Sequence, residues 1–323
     1  MGRPLYAEIE AAAQRIAPYI RRTPLVRSAH LSDLSGGEIY LKLECWQHLA
    51  AFKVRGMVNR TLTLTEDERR LGLVVASSGN HGVAAAWCGQ QWGMPVTVYV
   101  PETAPEPKLA KIRQYGARLR LQGRDYDAAH LAAQEYLSSA PGAAIWVDSC
   151  SDPDAVAGHG TVGLEIASEL PRLDEVLVPI GGGGLVTGIG LALRQVAPRA
   201  IVTGVQTAAC PAMAASLGDR VCYETYPSEP SLCDALIGGV GELGFRRAGE
   251  CLDRVVLTSE DAIGQAVTGM IRHEQLLAEP AGAVGWAYIA ERPEEFRGRC
   301  AAVVVSGGNL SYDVLTRLIR GTV

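Results

Sequence analysis

Short apolar runs rich in β-branched residues alternate along this chain with longer stretches whose apolar positions recur every three or four residues. The runs at 39–43, 73–76, 96–100, 118–121, 175–179, 200–205 and 301–305 predict strands. Stretches such as 105–115 and 127–136 carry the i, i+3, i+4 spacing of amphipathic helices. Alternation of this kind predicts an α/β fold built on parallel sheets. No linker or internal repeat interrupts it. The segment 71–151 holds a compact run of four strand–helix units, enough for a small sheet of its own.

In open parallel sheets ligands gather beyond the carboxyl ends of the strands, so the loops after the predicted strands carry the candidate chemistry. After 175–179 comes Ile180-Gly181-Gly182-Gly183-Gly184-Leu185, four glycines leading into a helical pattern. Glycines let main-chain amides approach a ligand, and the helix adds its positive end, which suits a phosphate dianion; a tight turn without ligand is the alternative. The spacing fits neither a dinucleotide fingerprint nor a Walker loop. After 73–76 comes Ser77-Ser78-Gly79-Asn80-His81-Gly82, which reads equally as a carboxylate site or as a plain capped helix start. After 301–305 comes Ser306-Gly307-Gly308-Asn309, a placed hydroxyl or an ordinary turn cap.

Composition narrows the function classes. The 323 residues are 48% hydrophobic and 20% charged with a formal net charge of −5, which leaves no excess positive field for nucleic acid. No apolar run has the length of a membrane span. The Met1–Glu8 run lacks the apolar stretch of a signal peptide, and the eight cysteines form no C-x-x-C pair, so a cytoplasmic protein with reduced thiols is expected. Only four of the 30 basic residues are lysines. Lys42 falls in an alternating strand and is expected on its solvated side. Lys108 and Lys111 fall three apart on an amphipathic helix, as ordinary surface charges. Lys53 is wedged between Phe52 and Val54, where desolvation favours the neutral, nucleophilic amine.

An anion cradle, an amine, a carboxylate loop and a serine at a distant strand end are the parts of a pyridoxal-phosphate site. Seven blocks stand in order: Phe52-Lys53-x-Arg55-Gly56, Ser77 to Gly82, Ala104-Pro105-x-x-Lys108, Tyr115-Gly116-Ala117, Gly181 to Gly184, Glu279-Pro280-Ala281-Gly282 and Ser306 to Asn309. On them the chain, from about Ile16 to Leu318, resembles the fold-type II pyridoxal-phosphate enzymes in the branch of threonine dehydratase and serine racemase. The resemblance implies a tryptophan-synthase-β-like fold of two open parallel-sheet α/β domains. Residues 1–70 and 152–323 would form a large cofactor-binding domain and 71–151 a small, mobile substrate-binding domain. Pyridoxal 5′-phosphate is the implied cofactor, held covalently by Lys53, whose freed amine then shuttles the Cα proton. Gly181, Gly182, Gly183 and Gly184, with Leu185, would bind the phosphate, while Phe52 and Glu279 line the ring. Asn80 would bond the ring hydroxyl and Ser306 the pyridine nitrogen. Ser77, Gly79 and His81 would receive the substrate carboxylate, and Ser78 matches the residue that faces Cα opposite the lysine in racemases.

A neutral hydroxyl at the pyridine nitrogen does not force its protonation, so the ring is a weaker electron sink and loss of a β-leaving group is favoured. The implied activity is an ammonia-lyase of the serine, threonine or 3-hydroxyaspartate class that gives a 2-oxo acid and ammonia, with an amino-acid racemase as the alternative. A nicotinamide oxidoreductase is weakened by the failed fingerprint, and a catalytically dead sensor by the presence of Lys53. A homodimer without an added regulatory domain is expected. Departures from the family pattern are Leu49-Ala50-Ala51 for Thr-Gly-Ser, His159 for Gln, and Ala235 for Gly. They suggest a shifted substrate, such as 3-hydroxyaspartate or a hydroxyectoine-derived amino acid; His159 reads equally as facing its distal end or as a neutral replacement of Gln, since both donate and accept. No divalent-cation site is expected, because Gln206, Cys210 and Ala212 stand where carboxylates are needed.

Overall fold

The computed structural model describes residues 5–321, so the expectation drawn from Met1–Pro4 lies outside the described residues. Among the described residues, ten strands form two sheets. They are β1 (Leu25–Arg27), β2 (Glu38–Lys42), β3 (Leu73–Ala76), β4 (Val96–Val100), β5 (Arg118–Leu121), β6 (Ile145–Trp146), β7 (Glu175–Pro179), β8 (Ile201–Thr207), β9 (Arg254–Thr258) and β10 (Cys300–Val304). The larger sheet runs β1-β2-β10-β7-β8-β9, parallel except for β1, and the smaller runs β5-β4-β3-β6, parallel throughout. The smaller sheet spans 73–146, inside the 71–151 segment.

Continuous apolar runs became the inner strands. Every residue of β3, β7 and β10 is buried, as expected where helices cover both faces of a parallel sheet. The helix Pro280–Glu291 is buried from Pro280 to Ile289 and belongs to the main core of the larger unit. A second core lies on the other face of that sheet, and a third fills the smaller unit around Val54, Val75, Val98 and Ile112. Among the described residues no helix is long and apolar enough to cross a membrane.

The parallel strands bring their carboxyl ends to a common cleft between the sheets. Into it run the loops after β2, β3, β6, β7 and β10, joined by Glu279 at the start of the helix Pro280–Glu291.

Candidate active site

Lys53 opens the helix Lys53–Thr63 directly after a segment in which Leu49 and Ala50 both have positive φ, 62° and 55°. That segment is zipped to the loop after β10. Ala51 pairs with Gly307, the Phe52 N–H donates to Ser306 O at 3.1 Å, and the Gly308 N–H donates to Ala50 O at 2.8 Å. Arg55 anchors the same helix from inside the protein. Its guanidinium donates to both oxygens of Glu44 at 2.8 Å and to both of Glu165 at 2.6 and 3.0 Å. Burial works against the charged guanidinium, but Glu44 and then Glu165 outweigh it and raise its pKa. Lys42 joins this network and corrects the expectation of a solvated side chain. It is fully buried, with Nζ 2.6 Å from Glu165 and donating to Thr23 O at 2.7 Å.

The amine of half-buried Lys53 donates to Ser149 Oγ at 2.9 Å. Ser149 was not singled out by the sequence. It lies in the loop after β6, which is fixed by Asp148 Oδ1 accepting from the N–H groups of Cys150 at 2.7 Å and Ser151 at 2.8 Å. A strand-end loop was the available signal, but a two-residue strand is too short to read.

The same loop packs on the glycines. A Cβ at Gly184 would lie 2.5 Å from Ser149 O, one at Gly182 would collide with Cys150 Sγ, and one at Gly181 would come within 3.0 Å of Ala235 O. Gly183 has φ +93° and precedes the helix Gly184–Val196, whose N-terminus has no side-chain cap. Leu185 is buried in the first turn. The result is a cradle of uncapped main-chain amides that only glycine can line, which fits a phosphate group.

Opposite, β3 delivers Ser77 to Gly82 at the start of the helix Asn80–Trp92, again without a side-chain cap. Ser77 Oγ accepts from the Gly79 N–H at 3.1 Å, and Ser78 is half-buried beside it. His81 Nε2 lies 3.0 Å from Val147 O, which assigns its hydrogen to that nitrogen and leaves Nδ1 buried without a partner. Burial, and next the charge of Lys53, lower its pKa to about 4. Asn80 Nδ2 donates to Glu279 Oε1 at 2.8 Å, and Asn309 Nδ2 donates to Asn80 Oδ1 at 2.7 Å. Burial pushes the Glu279 carboxyl up to about 7, with Asp234 adding to the effect. Ser306, at the end of β10, is buried in the same cluster.

His159 lies on the helix Pro153–Glu169 under the edge of Phe52, with ring centroids 4.8 Å apart, and faces Gly56. It is buried, and neither ring nitrogen has a hydrogen-bond partner. Burial first, then Lys53 and His81, hold its pKa well below the usual value; the nearby Ser149 main chain offsets this in part without reaching hydrogen-bond geometry. Lys108 and Lys111 also differ from plain surface charges. From the helix Glu106–Gln114 they reach across the cleft, Lys108 to Asp234 and Lys111 to Asn309 Oδ1 at 2.9 Å. Gln206 spends its amide on the main chain, accepting from the Ala214 N–H at 3.0 Å and donating to Cys210 O at 3.4 Å.

The sequence model of the pyridoxal-phosphate dependent enzymes matches residues 16–307. The chain belongs to that family. Within it, the chain sits in the fold-type II branch of threonine dehydratase and serine racemase. It is 37% identical over 314 residues to an L-threonine ammonia-lyase of Thermotoga maritima, an alignment covering 97% of this chain and 77% of the relative. Its fold is similar to the processed form of threonine deaminase isoform 2 from Solanum lycopersicum (TM-score 0.90, 27% identity, 98% of this chain and 87% of the other). It is also similar to maize serine racemase (TM-score 0.88, 27% identity, 98% and 97%). The expectations of a fold-type II enzyme, of carbon–nitrogen lyase type and with pyridoxal 5′-phosphate as its cofactor, hold.

Proposed function

We propose that this pyridoxal-phosphate enzyme is an ammonia-lyase for threonine or serine, removing the β-hydroxyl and releasing a 2-oxo acid and ammonia. The observation that carries the reading is the placement of Lys53. Its amine lies against a loop that itself packs on the four-glycine cradle, so a nucleophilic amine and an anion seat share one site.

When bound, pyridoxal phosphate supplies a carbonyl for exchange with the substrate amine and a ring that makes the attached Cα–H bond acidic. The protein's part is to hold and to move protons. Lys53 Nζ would hold the cofactor and, once free, would take the proton at Cα. The amides of Gly181 to Gly184 and Leu185 seat the phosphate. Asn80 has given one amide hydrogen to Glu279 and keeps the other for the ring hydroxyl. Ser306 would meet the ring nitrogen with a neutral hydroxyl, and Phe52 and Glu279 would line the ring. The uncapped helix start at Ser77, Gly79 and His81 receives the substrate carboxylate.

Threonine is favoured over 3-hydroxyaspartate or a hydroxyectoine-derived amino acid for two reasons. The ammonia-lyase and the deaminase named above carry threonine names, and two of the three departures that suggested a shift, Ala51 and His159, are buried in protein contacts, while the third, Ala235, is exposed. A racemase is the second reading, favoured by the half-buried hydroxyl of Ser78 and the likeness to a serine racemase. Incubating holoenzyme with L-threonine, L-serine and 3-hydroxyaspartate tests both. Equal amounts of 2-oxo acid and ammonia from threonine or serine are expected. D-serine outpacing pyruvate would select the racemase, and 3-hydroxyaspartate consumed at least about tenfold faster would overturn the substrate reading. We also carry a homodimer over from the resemblance; a solution mass of one chain would contradict it.

A further inference from the structure

β-Elimination of water needs two proton transfers, one away from Cα and one onto the departing oxygen, because hydroxide is a poor leaving group. Lys53 accounts for the first. The group that hydrogen-bonds its amine, Ser149, is placed for the second. Ser149 Oγ accepts from Lys53 Nζ at 2.9 Å, so its own hydrogen is free to point elsewhere. Its other neighbour is the weakly accepting Cys150 Sγ at 3.3 Å. The turn around it is pinned by Asp148, and its carbonyl packs on Gly184 of the anion cradle. The hydroxyl is therefore held between the base and the phosphate seat, not swinging from a surface loop.

We propose that Ser149 is a catalytic proton relay that carries the Cα proton from Lys53 to the leaving β-hydroxyl. The inference rests on the elimination reaction proposed above. Lys53 Nζ gains a proton as the Cα–H bond breaks. The electron pair of that bond forms the Cα–Cβ double bond, and the pair of the Cβ–O bond leaves with the oxygen. Nζ then passes a proton to Ser149 Oγ while the hydroxyl's own proton moves to the departing oxygen, which leaves as water. Both residues end with the protons they began with.

The test compares leaving groups. In Ser149→Ala holoenzyme, cofactor absorbance is expected to be retained, and kcat on L-serine to fall roughly 10²-fold or more, the usual worth of a positioned proton donor. Elimination of chloride from β-chloroalanine, which needs no proton, is expected to stay within about threefold of wild type. Exchange of the Cα hydrogen with deuterated solvent should persist, so exchange per 2-oxo acid formed rises. Ser149→Thr, which keeps the hydroxyl, should recover most of the serine activity. In cofactor-free protein, Ser149→Ala should also change the acetylation rate of Lys53 relative to Lys108 and Lys111, because its hydrogen-bond acceptor is gone. If the alanine variant fails to load cofactor, Ser149→Thr against the isosteric Ser149→Val gives the same comparison. Equal losses on serine and β-chloroalanine, unchanged serine turnover, or unaltered Lys53 acetylation would each overturn the relay. A wild-type enzyme inert toward serine and threonine would instead overturn the proposed function.

Discussion

At the scale of single residues, two positions carry a cost that a substitution should reveal. Ala50 holds φ 55°, a left-handed conformation that disfavours a Cβ, where the family pattern has glycine. Ala50→Gly is expected to stabilise the protein by about 0.5–1 kcal/mol in urea unfolding, the strain relieved less the added chain entropy. A loss of stability would show that the Ala50 methyl packs usefully. Glu279 carries the second cost. In the unfolded chain its carboxyl ionises near 4.5, whereas in the folded protein burial moves that to about 7. Between these values the unfolded state holds fewer protons, so this group's contribution to stability falls as pH rises. In cofactor-free protein, Glu279→Gln should therefore gain on wild type from pH 5 to 8 by up to about 3 kcal/mol. Parallel stability curves would contradict it. The four glycines, Ser77 to Gly82 and Ser306 were legible because each follows an apolar strand in a distinctive loop. The buried set of Lys42, Glu44, Arg55 and Glu165 was not. Its carboxylate at 165 lies 110 residues from Arg55, and no local alternation reveals that a charged side chain has found partners inside.

At the scale of elements, the inner strands were readable and the edges were not. β10 is an unbroken apolar run and β7 is one after its first residue, Glu175, while three of the four edge strands, β1, β6 and β9, escaped notice. β1 is three residues long and β6 two, too short for an apolar pattern to register, whereas β9 carries the run Val255-Val256-Leu257 and was not predicted. The omission had a functional consequence, because the loop after β6 brings Ser149 to Lys53 and walls the cradle. That wall yields a prediction. Alanine at Gly184 places its Cβ 2.5 Å from the Ser149 carbonyl, main chain that cannot swing aside. Gly184→Ala should raise the Kd for pyridoxal phosphate by roughly tenfold or more, since glycine-lined amides must approach the anion closely. Unchanged affinity in an absorbance titration would mean that the cradle is looser than described.

At the scale of the whole molecule, the two sheets are tied across the cleft by Lys108 to Asp234, Lys111 to Asn309 and Asn80 to Glu279. The Lys108 and Asp234 side chains are 35% and 59% exposed, so the pair adds only about 0–1 kcal/mol to stability. We propose that its effect lies in how the small unit would sit over the substrate. Lys108→Ala should leave the melting temperature within about 3 °C while raising KM for the amino acid several-fold. A large drop in melting temperature with unchanged KM would assign the pair to stability instead. The division into two sheets was legible from the clustered strand–helix units at 71–151. The ties across the cleft were not, because they join helix surface positions to loops more than a hundred residues away. In the proposed function these contacts serve one bond, between the Lys53 amine and the cofactor aldehyde. The direct measurement is the visible absorbance and 2-oxo acid production of Lys53→Ala beside wild type, both purified with excess pyridoxal phosphate. Loss of the borohydride-sensitive absorbance together with loss of turnover is expected; an alanine variant that keeps both would contradict the account.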